Sequence, residues 1–336
     1  MQKWRPRYSL LPVAVLAACT PSLKETSPDG GTADGPVTDL AHTVNLGGWM
    51  DSPHISPDGQ ELYFYYAPMD IARFNKSEGT VIVRGGPDRP GHTTSGDSPL
   101  ALINADLYVA RRQAGGGWEV NNLTTLNSAD AQESSPYVSW DGRSLYFMRA
   151  YPEQQPVYWV ARREGDGWGA PTLANLPVVN GNLTMDLGET TMFFDRSVDP
   201  NAASGDEIVV TTRVPGGPWA DPTLLPPAVN DPDPVVDSQT PWLSRDGRRL
   251  YFHRFNKSGA GSKILVTDIY NDFRTTELDI IGPPYVPEYQ DRLVAEPSLT
   301  EDEQTLYALV YSADAVAQVW SGQRAPLGRW QLSLVE

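Results

Sequence analysis

The sequence predicts an all-β protein, a five-bladed β-propeller with four antiparallel strands per blade. Three observations carry this. A turn-and-strand motif recurs along the chain, a second strand–turn–aromatic motif follows each copy, and no stretch between them has helical periodicity. The first motif reads "SPHISPDGQELYF" (52–64), "SPYVSWDGRSLYF" (135–147), "NLTMDLGETTMFF" (182–194), "TPWLSRDGRRLYF" (240–252) and "EPSLTEDEQTLYA" (296–308). The second reads "DLYVARRQAGGGWEV" (106–120), "VYWVARREGDGWGA" (157–170), "EIVVTTRVPGGPWAD" (207–221), "KILVTDIYNDFRT" (263–275) and "VWSGQRAPLGRWQL" (319–332).

Taken in chain order, the first segment is not part of the fold. Lys3, Arg5 and Arg7 precede the apolar run "LLPVAVLAA" (10–18), which is too short to span a bilayer but suits a secretory signal, 1–18. The run ends in "LAAC" (16–19), which resembles the lipobox of bacterial lipoproteins. That resemblance implies cleavage before Cys19 and lipidation of its thiol, with Thr20 compatible with passage to the outer membrane. Cys19 is the single cysteine, so no intrachain disulfide can form. Residues 19–44 are rich in Pro, Gly, Ser, Thr and Asp and are expected to be a flexible tether. Without the three basic residues of the signal, 23 Lys and Arg face 42 Asp and Glu, a net charge of −19. Such a surface repels nucleic acid and anionic headgroups, which leaves the lipid anchor as the only expected membrane contact.

The propeller is expected over 45–336, with blades at about 45–125, 126–178, 179–228, 229–282 and 283–336. In each, Asp-Gly or its substitute joins the first two strands, because that pair tolerates the positive φ of a tight hairpin. The third copy has Leu187-Gly188-Glu189 there, and the fifth has Asp302-Glu303 and ends in Ala308. Trp118, Trp168, Trp219, Phe273 and Trp330 are expected to pack between blades. The interval from Asp58 to Asp141 is the longest, and "TVIVR" (80–84) could make a strand there, so six blades is the alternative count. The motifs resemble the TolB-type WD40-like propeller repeat, whose consensus has the same Ser-Pro-Asp-Gly turn followed by Leu-Tyr-Phe. The resemblance implies the fold; such propellers serve many functions.

Strand order places the Asp-Gly turns on one side and the long connections on the other, including 65–105, 224–239 and 279–295. Long loops on a rigid scaffold are where binding concentrates, so that second side is the expected working face. Asp51, Glu133, Asp237, Gln239 and Glu296 are expected just before the innermost strands, where they should rim the channel. Arg149, Arg196 and Arg254 share one register of the second strands, beside Asp195 and His253. These arginines could neutralise the acidic rim or hold an anionic or sugar ligand bidentately. Arg84, Arg89 and His92 lie in the 65–105 loop, expected to be a flap over the channel mouth.

The expected function is therefore non-catalytic: an outer-membrane lipoprotein, monomeric, binding an envelope protein or glycan. The alternative is a polysaccharide hydrolase or lyase using Asp51, Asp195 and Glu296. Five-bladed glycosidases of the arabinanase and invertase type place a catalytic Asp at the start of the first innermost strand, and Asp51 in "WMDSPHISPDG" stands near such a place. No Gly-x-Ser-x-Gly elbow, His-x-x-x-His pair or paired cysteines occur. No metal or cofactor is expected, with calcium at the acidic run "NDPDPVVD" (230–237) as the exception considered.

Overall fold

The computed structural model describes residues 44–46, 49–67, 105–151, 154–177, 181–197, 205–257, 261–283, 293–311 and 317–335. The expected signal, Cys19 and the tether up to residue 43 lie outside them, as do 68–104 with Arg84, Arg89 and His92. Among the described residues the structure is all-β, with one short 3-10 turn at Pro326–Gly328.

The strands form five successive groups. The first sheet runs β1 (Trp49–Ile55), β2 (Glu61–Ala67), β3 (Asp106–Arg112), β4 (Trp118–Asn122), each antiparallel to its neighbour. The second has β5 (Gln132–Val138), β6 (Ser144–Ala150) and β7 (Val157–Glu164), with β8 (Gly167–Trp168) and β9 (Thr172–Leu173) both on β7. The third has β10 (Leu183–Met185), β11 (Thr191–Ser197), β12 (Asp206–Thr212) and β13 (Thr223–Leu224). The fourth has β14 (Val236–Leu243), β15 (Arg249–Asn256), β16 (Gly261–Asp268) and β17 (Arg274–Glu277), followed by the short β18 (Ile280–Ile281). The fifth has β19 (Leu293–Leu299), β20 (Thr305–Tyr311), β21 (Ala317–Gln323) and β23 (Ser333–Leu334), and is joined to the fourth by one parallel pairing, Ser262 with Leu293, while β22 (Trp330–Gln331) pairs with β18.

The recurring turn is built by its own side chains. Ser56 Oγ donates to Asp58 at 2.6 Å, and Asp58 accepts the Gln60 N–H at 3.0 Å. Ser139–Asp141, Ser244–Asp246 and Thr300–Asp302 repeat the first bond at 2.6, 2.5 and 2.7 Å. The next residue needs positive φ, which Gly59, Gly142 and Gly247 supply at 71°, 69° and 71°. Glu189 and Glu303 occupy that same left-handed position at 49° and 54°.

Each following Leu-Tyr-Phe strand is buried on both faces, as Leu62, Tyr63 and Phe64 show. Five apolar clusters lie between neighbouring sheets. The predicted aromatic of one sheet enters the cluster that holds the second residue of the strand motif in the preceding sheet: Trp168 with Tyr63, Trp219 with Tyr146, Phe273 with Phe193, and Trp330 with Tyr251. Trp118 of the first sheet meets Tyr307 of the fifth, their rings 6.3 Å apart and edge-on. Arg112, Arg163 and Arg213 cap Trp118, Trp168 and Trp219 at 4.4, 4.2 and 4.4 Å from the ring centroids.

An asparagine ahead of three sheets ties each to the sheet before it. Asn127 accepts the Leu107 N–H at 2.9 Å and donates to the Leu107 carbonyl at 3.0 Å. Asn230 does the same to Ile208, at 2.8 Å for both bonds. Asn45 does it to Val319 of the fifth sheet, at 2.8 and 3.2 Å. The residue before each asparagine, Val44, Leu126 or Val229, is completely buried.

Candidate functional site

The innermost strands share a bulge. Ser52, Ser135, Thr240 and Glu296 each stand immediately before a proline with φ of 50°, 50°, 50° and 53°. That conformation is strained for non-glycine residues, and most of all for β-branched Thr240. The register of β1, β5, β14 and β19 against its partner strand slips at this point. In two of the four, the N–H that the bulge frees from the ladder reaches a carboxylate on another sheet. Thr240 N–H donates to Asp195 at 3.1 Å, and Ser52 N–H donates to Glu296 at 2.6 Å and to its neighbour Asp51 at 2.7 Å.

Three of the acids singled out in the sequence therefore gather around the inner strands. Asp51, Asp195 and Glu296 are 2%, 5% and 5% exposed. Asp51 is an acceptor throughout: Trp49 Nε1 and Tyr65 OH donate to its Oδ2 at 2.8 and 2.6 Å, and Ser52 N–H and Oγ to its Oδ1. Ser52 Oγ also lies 3.3 Å from Asn182 Oδ1 of the third sheet, and Asn182 N–H donates to Asp195 at 2.9 Å. Burial holds the Glu296 carboxyl well above the usual range, with the Asp51 charge and a hydrogen bond to Asp51 adding to it. Burial and the charge of Asp206 push Asp195 up to about 8. Tyr65 and Tyr311 are likewise raised, by burial first and then by Asp51 and Glu296.

Of the remaining candidates, Glu133, Arg149, Asp237 and Arg254 are held by hydrogen bonds and ion pairs. Glu133 is completely buried and accepts from Arg149 Nε at 2.7 Å; Arg149, 7% exposed, also donates to the Leu126 carbonyl at 2.5 Å and lies 4.6 Å from the Trp159 ring. Asp237 pairs with Lys257 at 2.9 Å and accepts the Asp206 N–H at 2.8 Å. Burial raises its carboxyl, an effect that Lys257 opposes. Arg254 donates to the Val229 carbonyl at 2.7 Å and stands 3.8 Å from Asp231. Arg196 is exposed near the end of β11. His253 is buried, and burial lowers it to about 3.

Sequence reasoning missed Asp206, which accepts from Gln239 at 2.5 Å and links Asp195 to Asp237. It also missed Trp49 and Tyr65, the donors to Asp51. At the acidic run 230–237, Asn230 gives both its amide atoms to backbone, and Asp231 and Asp233 accept turn N–H groups at 3.1 Å. Among the described residues no group of three or more His, Cys, Asp or Glu could hold a metal ion. No helix among them is long and apolar enough to cross a membrane. A cleft of about 250 Å³ lies on the turn side, between the third and fourth sheets, lined by Phe193, Leu243 and Ile269 together with the charged Asp186, Arg245 and Asp246.

No family model matches the sequence, and neither does any curated protein. Among solved structures, a thermostable family-43 glycoside hydrolase superposes with a TM-score of 0.53 at 11% identity, covering 88% of this chain and 97% of that one. A TolB-like protein from Agrobacterium tumefaciens follows at 0.45 and 12%, covering 86% and 81%. TolB from Acinetobacter baumannii gives 0.42 and 13%, covering 85% of this chain and 57% of its own. At these identities the likeness shows the fold alone. The chain is an all-β protein of the β-propeller class.

Proposed function

We propose that this chain is a cell-envelope lipoprotein, anchored through Cys19, whose five-bladed propeller binds an envelope protein or glycan and performs no chemistry. Five blades are supported by contacts between the fifth and first sheets that repeat those at the other junctions: Asn45 on Val319, Trp118 on Tyr307, and Arg112 on the Tyr307 hydroxyl at 2.7 Å. The observation that carries the non-catalytic reading is how fully the inner acids are occupied. Asp51 accepts from Trp49, Tyr65 and Ser52, and Glu296 shares the Ser52 N–H with it. A glycosidase needs one carboxyl group free to protonate the substrate and a second free to act as base or nucleophile. The other rim acids, Glu133 and Asp237, are occupied by Arg149 and Lys257.

Binding is assigned to the long-loop face, through Arg84, Arg89 and His92 in particular. The test is affinity capture from envelope extract with the tagged mature protein, against a form lacking 84–98. Equal recovery of the same partner by both forms would move recognition off that loop. Mutation of Cys19 to Ala should abolish fatty-acid labelling; continued labelling would remove the anchor from the reading.

A hydrolase is the second reading, favoured by one observation: Asp195 at about 8 is a carboxyl that keeps its proton at neutral pH, as a general acid must. Release of reducing ends from a panel of envelope polysaccharides, lost in Asp195→Asn, would establish it in place of the first.

A further inference from the structure

The fifth and first sheets are distant in the chain, and nothing covalent joins them. Ser52 and Glu296, whose contact joins their inner strands, are 244 positions apart. Most of what holds this junction does not titrate near neutrality. The asparagine bridge of Asn45, the packing of Trp118 on Tyr307 and the apolar cluster around Val44, Tyr307 and Val319 are insensitive to pH there. The Asp51–Glu296 pair is different: both buried carboxyl groups accept the one Ser52 N–H, at 2.7 and 2.6 Å, and two carboxyls held so close are stable only while one of them holds a proton.

The hydrogen bonds say where that proton is. A carboxylate has about four acceptor sites, and Asp51 fills three with Trp49, Tyr65 and the Ser52 N–H, which leaves the fourth for Glu296. Protonating Asp51 would set its O–H against those donors. Glu296 accepts a backbone N–H at one oxygen only. The geometry points to a proton-operated latch: neutral Glu296 donates its hydrogen to Asp51 and fastens the fifth sheet to the first, and loss of that hydrogen loosens the junction.

The groups that act on the pair from the strands packed against it are Asp195 of β11, Tyr65 of β2 and Tyr311 of β20, all of them acids. When base removes the Glu296 proton to solvent, the new charge meets Asp51 at contact distance, with Asp195 behind. The Ser52 N–H, held until then by both carboxyl groups, stands between two like charges. The inner strands β1 and β19 then have reason to part, while the outer asparagine and aromatic contacts keep the sheets in register. The direction is fixed: the latch is shut in mild acid and opens as pH rises through the Glu296 titration.

Hydrogen exchange of the full mature chain tests this, read on peptides covering 49–55 and 293–299 and corrected for the intrinsic pH dependence of exchange. In an Asp195→Asn background, which removes the Asp195 titration, protection at both peptides should fall by at least about tenfold as pH rises from 6. Glu296→Gln added to that background keeps an N–H donor toward Asp51 but cannot ionise, so its corrected protection should not change over the same range. Infrared spectroscopy gives an independent reading that needs no latch variant to remain fully stable. In an Asp195→Asn background, the carbonyl stretch of a neutral carboxylic acid should be present at pH 7 and should vanish on adding Glu296→Gln. Parallel pH responses in Asp195→Asn with and without Glu296→Gln, or a background spectrum without a neutral carboxyl band, would overturn the latch.

Discussion

The junction between the third and fourth sheets differs from the other four, and the difference explains what the Leu-Tyr-Phe motif is for. At the others the motif's tyrosine hydroxyl reaches a polar group of the adjoining sheet. Tyr63 accepts from Trp168 at 3.2 Å, Tyr146 donates to Glu189 at 2.9 Å, Tyr251 donates to Glu303 at 2.5 Å, and Tyr307 accepts from Arg112 at 2.7 Å. Each clip joins one strand motif to the next sheet in the series, with the fifth reaching the first. The third sheet has Phe193 in the tyrosine position, and Gly247 of the fourth sheet stands where Glu189 and Glu303 stand elsewhere. The turn side of that junction is accordingly open, and the 250 Å³ cleft lies there. Its inner side is held instead by Asp195, which accepts the Thr240 N–H, and by Thr184, which accepts the Leu243 N–H at 3.1 Å. A repeat can thus lose its outer clip where an inner hydrogen bond spans the same pair of sheets.

The largest way to probe this contrast is to change pH at the inner contact. Asp195 titrates at about 8 in the folded chain, against about 3.9 unfolded. Between those values the folded state carries a proton that the unfolded state has lost, so its stability falls as pH rises, by up to about 1.4 kcal/mol per unit. Asp195→Asn preserves an acceptor for Asn182 and Thr240 and removes the titration. From pH 5 to pH 8, wild type should lose up to about 4 kcal/mol more than the variant. Melting curves at the two pH values check this, and equal losses would put the pH dependence elsewhere.

Next in size is the backbone bridge at the same junction. Asn230→Ala removes the bonds to Ile208 N–H, Ile208 carbonyl and Leu225 carbonyl and leaves buried backbone groups unsatisfied. The expected cost is about 2–3 kcal/mol. Asn45→Ala should act in the same sense, because it breaks the equivalent bridge between the fifth sheet and the segment entering the first. No change in either denaturation midpoint would show that these asparagines only decorate contacts made by the apolar clusters. Smaller again is a true clip: Glu303→Ala frees the Tyr251 hydroxyl and the Arg249 guanidinium, at about 1–2 kcal/mol.

How far this was legible in the sequence depends on whether a contact stays in one column of the repeat. The hairpin did: Ser56–Asp58–Gly59 recurs with nearly the same letters, and its hydrogen bonds recur with them. The packing aromatics did too. The clip did not, because its second member is Trp168, Glu189, Glu303 or Arg112, residues from different strands and turns. The asparagine bridge left a faint signal, Val44-Asn45, Leu126-Asn127 and Val229-Asn230, at variable distance from the turn that anchors the alignment. Asp51 and Glu296 were each visible as acids near the inner strands. Their meeting was not, since Asp51 precedes the bulge residue of its strand and Glu296 is the bulge residue of its own.

The smallest prediction asks whether the odd junction can be made like its neighbours. Phe193→Tyr restores the motif tyrosine, and Gly247→Glu places a carboxylate where Glu189 and Glu303 accept theirs. The position has φ of 71°, but those two glutamates already occupy it at 49° and 54°, and a Cβ on Gly247 would meet nothing within 4 Å. Phe193→Tyr alone adds a hydroxyl without the glutamate partner that Tyr146 and Tyr251 have, and Gly247→Glu alone adds strain without the tyrosine hydroxyl it would accept from. Each should therefore be neutral or destabilising by about 1 kcal/mol, with the pair better than their sum by about 0.5–1.5 kcal/mol. A double-mutant cycle in urea measures that coupling directly. Zero coupling would mean that the third and fourth sheets meet at a different spacing from the rest, and that the cleft reflects their separation rather than two missing side chains.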